Sequence, residues 1–515
     1  MTDDLCFIAL AVCWLFCMAM LLFRAVHMFQ LNSYKPYVQR KWVAENIFEI
    51  LIKTVWVALT VPALLEWKSA GMLISAGIYV VVGLLNLPKK AKKPLVATAR
   101  VKRLFFTLAV ICLAILALTW FDTRHRPDVM VLAAFVALAS PYLVLLANAI
   151  NSPVEKLINL HYINDAKKRL AGMPDLRVVG VTGSYGKTSM KMILSAMLAE
   201  RFGVLHTPDS YNTTLGVVRT IRERMRPTDE IFVCEMGARN PGDIKEICDI
   251  VRPTAGIITS VGPQHLESFK TVENVLKTKL ELADALPEGG LLLVNADCEY
   301  LRGREGAVGY GIDAGDWRAS NVKTGTTGSE FTLTGPDGIS ARIRTRLIGR
   351  HNVLNVTGAA AAAYLLGVPL KDIAAAAARL DPVPHRLQLL GGAGRWIIDD
   401  AYNSNPAGAE AALEALSAFD AARILVTPGM VELGTKQYEL NRAFGEQAAR
   451  AADFVALVGE KQTRPILDGL LAAGMPEDKI KVCATLEEAM AAADGFDAGG
   501  RGRVILLEND LPDNY

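Results

Sequence analysis

GVTGSYGKTS, at Gly180–Ser189, decides how this chain is read. It follows an apolar, strand-like run, Leu176–Val181, and opens a helix-like one, Met190–Glu200. A strand that turns through small residues into a helix is where a phosphate chain is held. The backbone wraps the phosphates, and the new helix aims its free N–H groups and positive dipole end at them. In such a loop Lys187 reaches the terminal phosphates and the Thr188 hydroxyl holds Mg²⁺. The common form of the motif has Gly where Val181 stands; here Gly180, Gly183 and Gly186 recur every three residues. Gly183, Gly186, Lys187, Thr188 and Ser189 are therefore the expected nucleotide-binding residues. The bland alternative is a Gly-rich turn before a helix, and the strand context and GKTS tail weigh against it.

The chain has 515 residues, room for three or four domains. Its hydrophobic fraction, 51%, is high for a soluble enzyme, and the excess sits at the front. Five apolar stretches, roughly 5–23, 47–65, 70–88, 104–121 and 128–148, approach the ~20 residues a membrane helix needs. The first is a poor signal peptide, with Asp3 and Asp4 in place of a basic start. Lys and Arg concentrate in two loops: Arg24, Lys35, Arg40 and Lys41 after the first stretch, then Lys89, Lys90, Lys92, Lys93, Arg100, Lys102 and Arg103 after the third. The remaining loops hold Lys68, Arg124 and Arg126. The positive-inside rule makes the rich loops cytoplasmic. Five crossings then place the N-terminus outside and everything after residue 150 in the cytoplasm, where ATP is. The 70–88 stretch is the weakest, with Gly71, Gly77 and Gly83. Net charge is +2, which argues for no nucleic-acid partner. The eight cysteines form no CxxC pair and read as buried hydrophobes in a reducing compartment.

From about 176 onward, strand-like pieces at 176–181, 230–235, 255–260, 291–295, 396–399, 423–427, 454–458 and 503–507 alternate with Ala- and Leu-rich helical runs. That is the pattern of α/β layers on mostly parallel sheets. The segment 306–346, with Phe331–Thr334 and Ala341–Arg344 between turn residues, predicts an antiparallel patch. A second α/β unit begins near Asp381–Arg386. The expected fold is an α-helical transmembrane bundle followed by α/β: residues 1–150 membrane, 151–380 a central ATP-binding domain on a phosphate loop, and 381–515 a Rossmann-like C-terminal domain.

Further polar residues stand at expected strand ends, where ligands bind in open α/β sheets. Glu235 closes IFVCE, and His265 follows the strand in ITSVGPQHLESF. A carboxylate and an imidazole there suit a metal shell, although a lone His is more often structural. Lys277 and Lys279, in VLKTKLELADAL, read as solvated helix lysines on spacing alone. GRHNVLN at Gly349–Asn355 offers His351, Asn352 and Asn355 to a base or a ribose, and is otherwise an ordinary helix start. IIDDAYNSNPAG at Ile397–Gly408 ends a strand in two carboxylates, then gives Tyr402, Asn403 and Asn405 before a Pro-initiated helix. It reads as a ligand loop, or as a capped loop with Asn405 as N-cap.

Taken in order, TGSYGKTS, SYNTTLGV, VCEMGARNPGDI, ITSVGPQHLESF, VNAD, GRHNVLN, DDAYNSNP and GMVELG resemble the Mur ligase family over about 176–500, nearest its D-alanyl-D-alanine-adding branch. The family joins amino acids or peptides to peptidoglycan precursors with ATP and Mg²⁺. The resemblance implies that Lys187 and Thr188 handle phosphates and Mg²⁺, and that Glu235 and His265 form the metal-binding pair. Lys279 is similar to a lysine that many members carbamylate. Asn295, His351, Asn352 and Asn355 resemble adenine-side contacts, and Arg386 and Asp400 the C-terminal grip on the nucleotide. Asn212 and Thr213 fall in the loop approaching the acceptor, with Tyr402, Asn403 and Asn405 also on the substrate side; Lys187, His265 and Lys279 are the catalytic set. The implied chemistry is acyl phosphate formation, then attack by an amine, with a hinge near Pro382–Pro384. The implied place is the bacterial cytoplasmic membrane, multi-pass, with the catalytic domains inside.

The departures are as informative. The usual uridine-nucleotide domain is replaced by the five apolar stretches. Gly429 stands where the related branch carries an acidic residue, and ENDLPDNY at Glu508–Tyr515 replaces a Lys-Gly-Ser-like string. These changes fall on the incoming-amine side. The module swap also raises a lipid-linked acceptor in place of a soluble nucleotide. Two competing readings are a ligase elongating another polymer such as polyglutamate, told apart by its acceptor, and a non-enzymatic membrane nucleotide sensor or transporter, which has no need of Lys279.

Overall fold

The computed structural model describes residues 3–510 apart from 67, 89–92, 124–129, 210, 265, 326, 393, 403 and 432. His265 and Asn403 therefore lie outside the described residues, as do Lys89, Lys90, Lys92, Arg124, Arg126 and the terminal 511–515. The chain divides into two compact units, Met1–His161 and Tyr162–Leu511.

The first unit is helical, with Trp14, Cys17, Val26, Phe29 and Tyr79 buried together in its core. The five apolar stretches all fall on helices, but they do not make five spans. Asp4–Leu31, Ile47–Leu65 and Ala99–Trp120 are long and apolar enough to cross a membrane. The fifth stretch is a pair, Val131–Leu138 and Ser140–Ala171, bent by 84°. Pro141 opens its second helix; a proline has no N–H to continue the first helix's ladder, so the chain turns there. The third stretch is the shorter helix Ser69–Leu85. It stops before Pro88, which disfavours helix in the residue ahead of it. Among the described residues, the expected five spans thus come to three by length and composition, or up to four if the bent pair is one span.

The second unit holds two sheets. The larger has strands β1 (Arg177–Thr182), β2 (Val204–His206), β3 (Ile231–Glu235), β4 (Ala255–Ile258), β5 (Leu291–Asn295), β6 (Val308–Gly311), β7 (Trp317–Gly325), β8 (Gly328–Thr334) and β9 (Ser340–Thr345). Their order is β2-β3-β1-β4-β5-β6-β7-β8-β9. Pairing is parallel from β2 through β7, then antiparallel through the β7–β8–β9 patch. Alternate residues of β1 and β3 feed opposite faces. Val179, Val181, Ile231 and Val233 pack with Met190 and Leu194 on one side; Val178, Phe232 and Cys234 pack with Val217 and Ile221 on the other. A strand covered on both faces reads as a continuous apolar run, which is why these strands are legible in the sequence.

The smaller sheet has β10 (Gln388–Gly392), β11 (Arg395–Asp400), β12 (Ala422–Thr427), β13 (Phe454–Val458), β14 (Ile480–Cys483) and β15 (Arg503–Glu508). Its order is β10-β11-β15-β12-β13-β14, parallel except for the edge strand β10. β15, the last strand, lies between β11 and β12, so the C-terminal ends of β11, β15 and β12 stand side by side.

Candidate active site

β1 ends at Thr182, and the chain turns through Gly183 (φ 150°) and Gly186 (φ 77°) into the helix Lys187–Leu198. A side chain at Gly183 would meet the Thr259 hydroxyl at 2.1 Å, so the turn accepts glycine alone. The loop rests on the end of β4. Ser184 N donates to Ser260 O (2.8 Å), Tyr185 N to Ser260 Oγ (2.8 Å) and the Tyr185 hydroxyl to Pro263 O (2.9 Å). The string ITSVGPQ is therefore a shelf under the glycine loop, a role hidden in a sequence where only its histidine drew notice.

Lys187 Nζ donates to the carbonyls of Gly183 (2.8 Å) and Ser184 (3.1 Å). One residue on, Thr188 Oγ1 donates to Glu235 Oε1 (3.1 Å), at the end of the neighbouring β3. Asn212 Nδ2 donates to the same oxygen at 2.9 Å. The other carboxylate oxygen lies 3.0 Å from Lys191 Nζ, and both side chains are buried. Lys191 escaped the sequence reading; its only signal is that it stands one helical turn after Lys187. Burial works to raise Glu235, but Lys191, Lys187 and the Asn212 hydrogen bond outweigh it and hold the carboxyl below its ordinary range. Burial pushes Lys187 down to about 8, with Glu235 opposing and Arg386 adding to the shift.

The lysine pair separates cleanly. Lys277 is exposed, while Lys279 is buried, at 1% exposure, in the helix Val272–Asp284. Burial drives the Lys279 ammonium well below the lysine range, and the charge of Lys187 adds to it. In the helix Arg350–Leu365, Asn355 lies against Gly186, where a side chain would meet its Oδ1 at 2.9 Å. Asn352 Nδ2 donates to Ile348 O at 2.9 Å. The His351 Nδ1 atom is buried without a hydrogen-bond partner, and burial pushes the ring down to about 4, so it stays neutral. Asn295 ends β5 and accepts from Asp297 N at 3.0 Å.

In the second sheet, Arg386 stacks over the Tyr402 ring, 4.2 Å from its centroid. Asp400 accepts from Leu387 N at 3.0 Å; burial pushes it up to about 6, against the pull of that bond and of Arg386. Two expected substrate residues are engaged as helix caps. Asn405 accepts from Gly408 N (2.9 Å) and Thr213 from Gly216 N (3.4 Å). The two departures from the family pattern meet at Asn509, beside Ser404. The Ser404 hydroxyl donates to Glu508, Thr427 Oγ1 donates to the other Glu508 oxygen (3.0 Å), and Asn509 accepts from Ser404 N (3.0 Å) while donating to Gly429 O. A cavity of 480 Å³ opens between the two sheet systems, lined by Tyr185, Gly262, Pro263, Tyr300, Met430 and Phe444.

Among the described residues, no three His, Cys, Asp or Glu side chains gather into a metal cage. The Thr188 hydroxyl and Glu235 carboxylate, already in contact, are an all-oxygen pair of the kind Mg²⁺ takes when phosphates and water complete its shell.

Fold and site together define a two-sheet α/β protein whose polar centre is a strand, a glycine loop and a helix. The Mur ligase middle domain matches residues 181–363, and the Mur ligase glutamate ligase domain matches 385–507, together more than half of the chain. The chain belongs to the Mur ligase family. It is 34% identical over 295 residues to the UDP-N-acetylmuramoyl-tripeptide--D-alanyl-D-alanine ligase of Escherichia coli, covering 55% of this chain and 65% of that one. It thus spans less than two thirds of that relative's length. Among solved structures it resembles MurF from Acinetobacter baumannii, with a TM-score of 0.62 and 26% identity over 69% of this chain and 78% of that one. It also resembles MurF ligase from Thermotoga maritima in complex with ADP, with a TM-score of 0.61 and 27% identity over 68% and 80%.

Proposed function

We propose that this chain is a membrane-attached, ATP-dependent amide ligase of peptidoglycan-precursor synthesis. It activates a precursor carboxylate and joins it to the amine of an amino acid or dipeptide, D-alanyl-D-alanine or a close analogue. The observation that carries the reading is the Lys187–Thr188–Glu235 cluster, which ties a glycine loop to a carboxylate at the adjacent strand end. The proposed division is 1–150 membrane region, 151–380 ATP-binding domain on a phosphate loop, and 381–515 Rossmann-like C-terminal domain.

In the reaction, a substrate carboxylate oxygen attacks the γ-phosphorus of ATP and the bond to ADP breaks. Lys187 exchanges its loop carbonyls for phosphate oxygens and spreads their charge, while the Gly183–Ser189 backbone wraps the chain. Thr188 and Glu235, with His265 as the third expected ligand, would hold Mg²⁺, which would supply Lewis-acid neutralisation of the transferring group. Burial disfavours the Lys279 ammonium, so its nitrogen can attack CO₂ and lose a proton, giving a carbamate that serves as a further carboxylate. Asn295, His351, Asn352 and Asn355 face the base side, and Arg386 and Asp400 hold the nucleotide from the second sheet. The incoming amine attacks the acyl phosphate, phosphate departs with the electron pair, and the amine loses a proton. Asn212, Thr213, Tyr402 and Asn403 serve the substrates; Asn405 serves them through the helix it caps. Closure about Pro382–Pro384 keeps water from the acyl phosphate.

Membrane attachment rests on the first unit's surface. Phe48 is 79% exposed and Phe106 71%, and only 22% of the Ala99–Trp120 window is buried. Apolar surface on that scale belongs in lipid. The basic loops support a cytoplasmic catalytic unit. With a bundle where a nucleotide-binding module is expected, the acceptor is read as lipid-linked. Purified protein with ATP, D-alanyl-D-alanine and either a lipid-linked or a soluble nucleotide tripeptide acceptor, analysed by mass spectrometry, tests this. The lipid-linked product should dominate; preference for the soluble acceptor overturns that part.

A further inference from the structure

Lys191 has no place in the mechanism above, yet it is one of the most enclosed charged side chains in the second unit. It is 0% exposed, on the helix that follows the glycine loop. Burying an ammonium is costly, and an apolar residue of similar volume is often as stable or more so in such a place. Packing alone gives no reason for a lysine there. Its contacts supply one. Nζ lies 3.0 Å from Glu235 Oε2 and donates to the Asp209 carbonyl at 2.6 Å. Asp209 sits in the left-handed region, at φ 41°, in the segment that leads to Asn212 and Thr213. Left-handed backbone is unfavourable for a residue with a side chain and persists where surroundings hold it.

The same segment is fastened to Glu235 at other points. Glu235 N donates to Thr207 Oγ1 (3.1 Å), Asn212 Nδ2 donates to Glu235 Oε1 (2.9 Å), and Gly237 N donates to Asn212 O (2.7 Å). One turn beyond the Thr188–Glu235 hydrogen bond, Lys191 ties the Asp209 carbonyl as well as Glu235 to the glycine-loop helix. The geometry points to Lys191 as a positioning residue that locks Thr207, Asp209, Asn212 and Glu235 into one frame with the glycine loop, so that the acceptor and the nucleotide phosphates meet in register. This rests on the reading of the loop at Asn212 and Thr213 as the one that approaches the acceptor.

The test uses the full chain in detergent micelles. Hydrogen exchange followed by mass spectrometry reads the 207–213 segment, and initial rates with ATP, D-alanyl-D-alanine and the tripeptide acceptor read the reaction. Lys191→Met should speed exchange across 207–213 at least tenfold and leave the helix Gln437–Ala451 unchanged. It should raise the acceptor KM at least tenfold while the KM for ATP stays within about twofold. Asn212→Ala should move both readouts the same way by less. Should Lys191→Met fail to fold, Glu235→Gln removes the same ion pair and should speed 207–213 exchange alike. Unchanged exchange in a folded variant overturns the proposal, as does faster exchange with an unchanged acceptor KM. The exchange arm needs no turnover, so it decides the strut even if the wild-type protein forms no amide, the result that would sink the ligase reading instead.

Discussion

The Thr188 hydroxyl donates to Glu235 Oε1 at 3.1 Å, joining the first turn of the glycine-loop helix to the end of the adjacent strand. Two chain segments 47 residues apart thus present oxygens to one point, with Lys187 as the neighbouring cation. If phosphoryl transfer happens there, Lys187→Ala and Thr188→Val should each lower kcat by about 10²–10³-fold, the usual loss when one charge-stabilising group goes. Both side chains are only half-buried, so melting temperatures should stay close to wild type. Initial rates and circular dichroism on the same preparations check this.

Lys279 should uncouple stability from activity. Its folded value lies well below its ordinary one. Between that value and about 10.4 the unfolded chain binds more protons, so stability climbs as pH rises through this window. Lys279→Met should flatten the climb, leaving the slope of the same sign that Lys187, lowered to about 8, supplies above that pH, should keep or raise the melting temperature at pH 7, and yet remove amide formation. Lys277→Met, on the exposed side of the same helix, should do neither. Thermal melts across pH 6–10 beside rate assays with and without added bicarbonate read both effects.

Glu508 titrates the other way. Burial pushes it up to about 7, against the Ser404 and Thr427 hydrogen bonds, so the native state keeps a proton that the unfolded chain gives up near 4.3. Its contribution is present below about pH 4 and is lost as pH rises through about 7. The loss is on the order of 3 kcal/mol. Glu508→Gln should match wild type at pH 4 and melt higher at pH 8. Asp400, raised to about 6, leaves a smaller slope of the same sign in the variant. Denaturant titrations at the two pH values are the check.

Asn405 is engaged at a helix start. Replacing an N-cap by Ala costs about 1 kcal/mol. Asn405→Ala should lower the melting temperature by a few degrees, and Asn405→Asp should restore it. Asn405→Asp, which keeps the cap, should keep the wild-type KM values for amine and acceptor. A KM change in the thermally intact Asp variant would show direct substrate contact instead.

Much of this architecture is legible in the sequence, for identifiable reasons. β1, β3, β4, β5, β11, β12, β13 and β15 lie inside sheets and read as apolar runs. β2 has three residues, β10 ends in Gly391–Gly392, and β14 is an edge strand, so none carries enough side-chain signal. The bend before Pro141 hides inside an unbroken apolar stretch, and hydropathy alone counts it as a straight span. The glycine loop and Glu235 show in the sequence because strand ends followed by small residues are conspicuous. Lys191 does not, and Lys279 shows only through the family resemblance, because a buried lysine and a solvated one have the same letter, and only the packing around them tells which is which. The Ser404–Glu508–Asn509 contacts join residues 104 and 105 positions apart, beyond the reach of any local pattern.

The most direct measurement is product formation by the purified full-length protein, read by mass spectrometry, with Lys187→Ala as control. The account predicts one ADP released for each amide formed between a peptidoglycan-precursor tripeptide and D-alanyl-D-alanine or a related amine, with both products formed about 10²–10³-fold more slowly in the control. ATP hydrolysis with no amide across a panel of such amines and both acceptor types would contradict it.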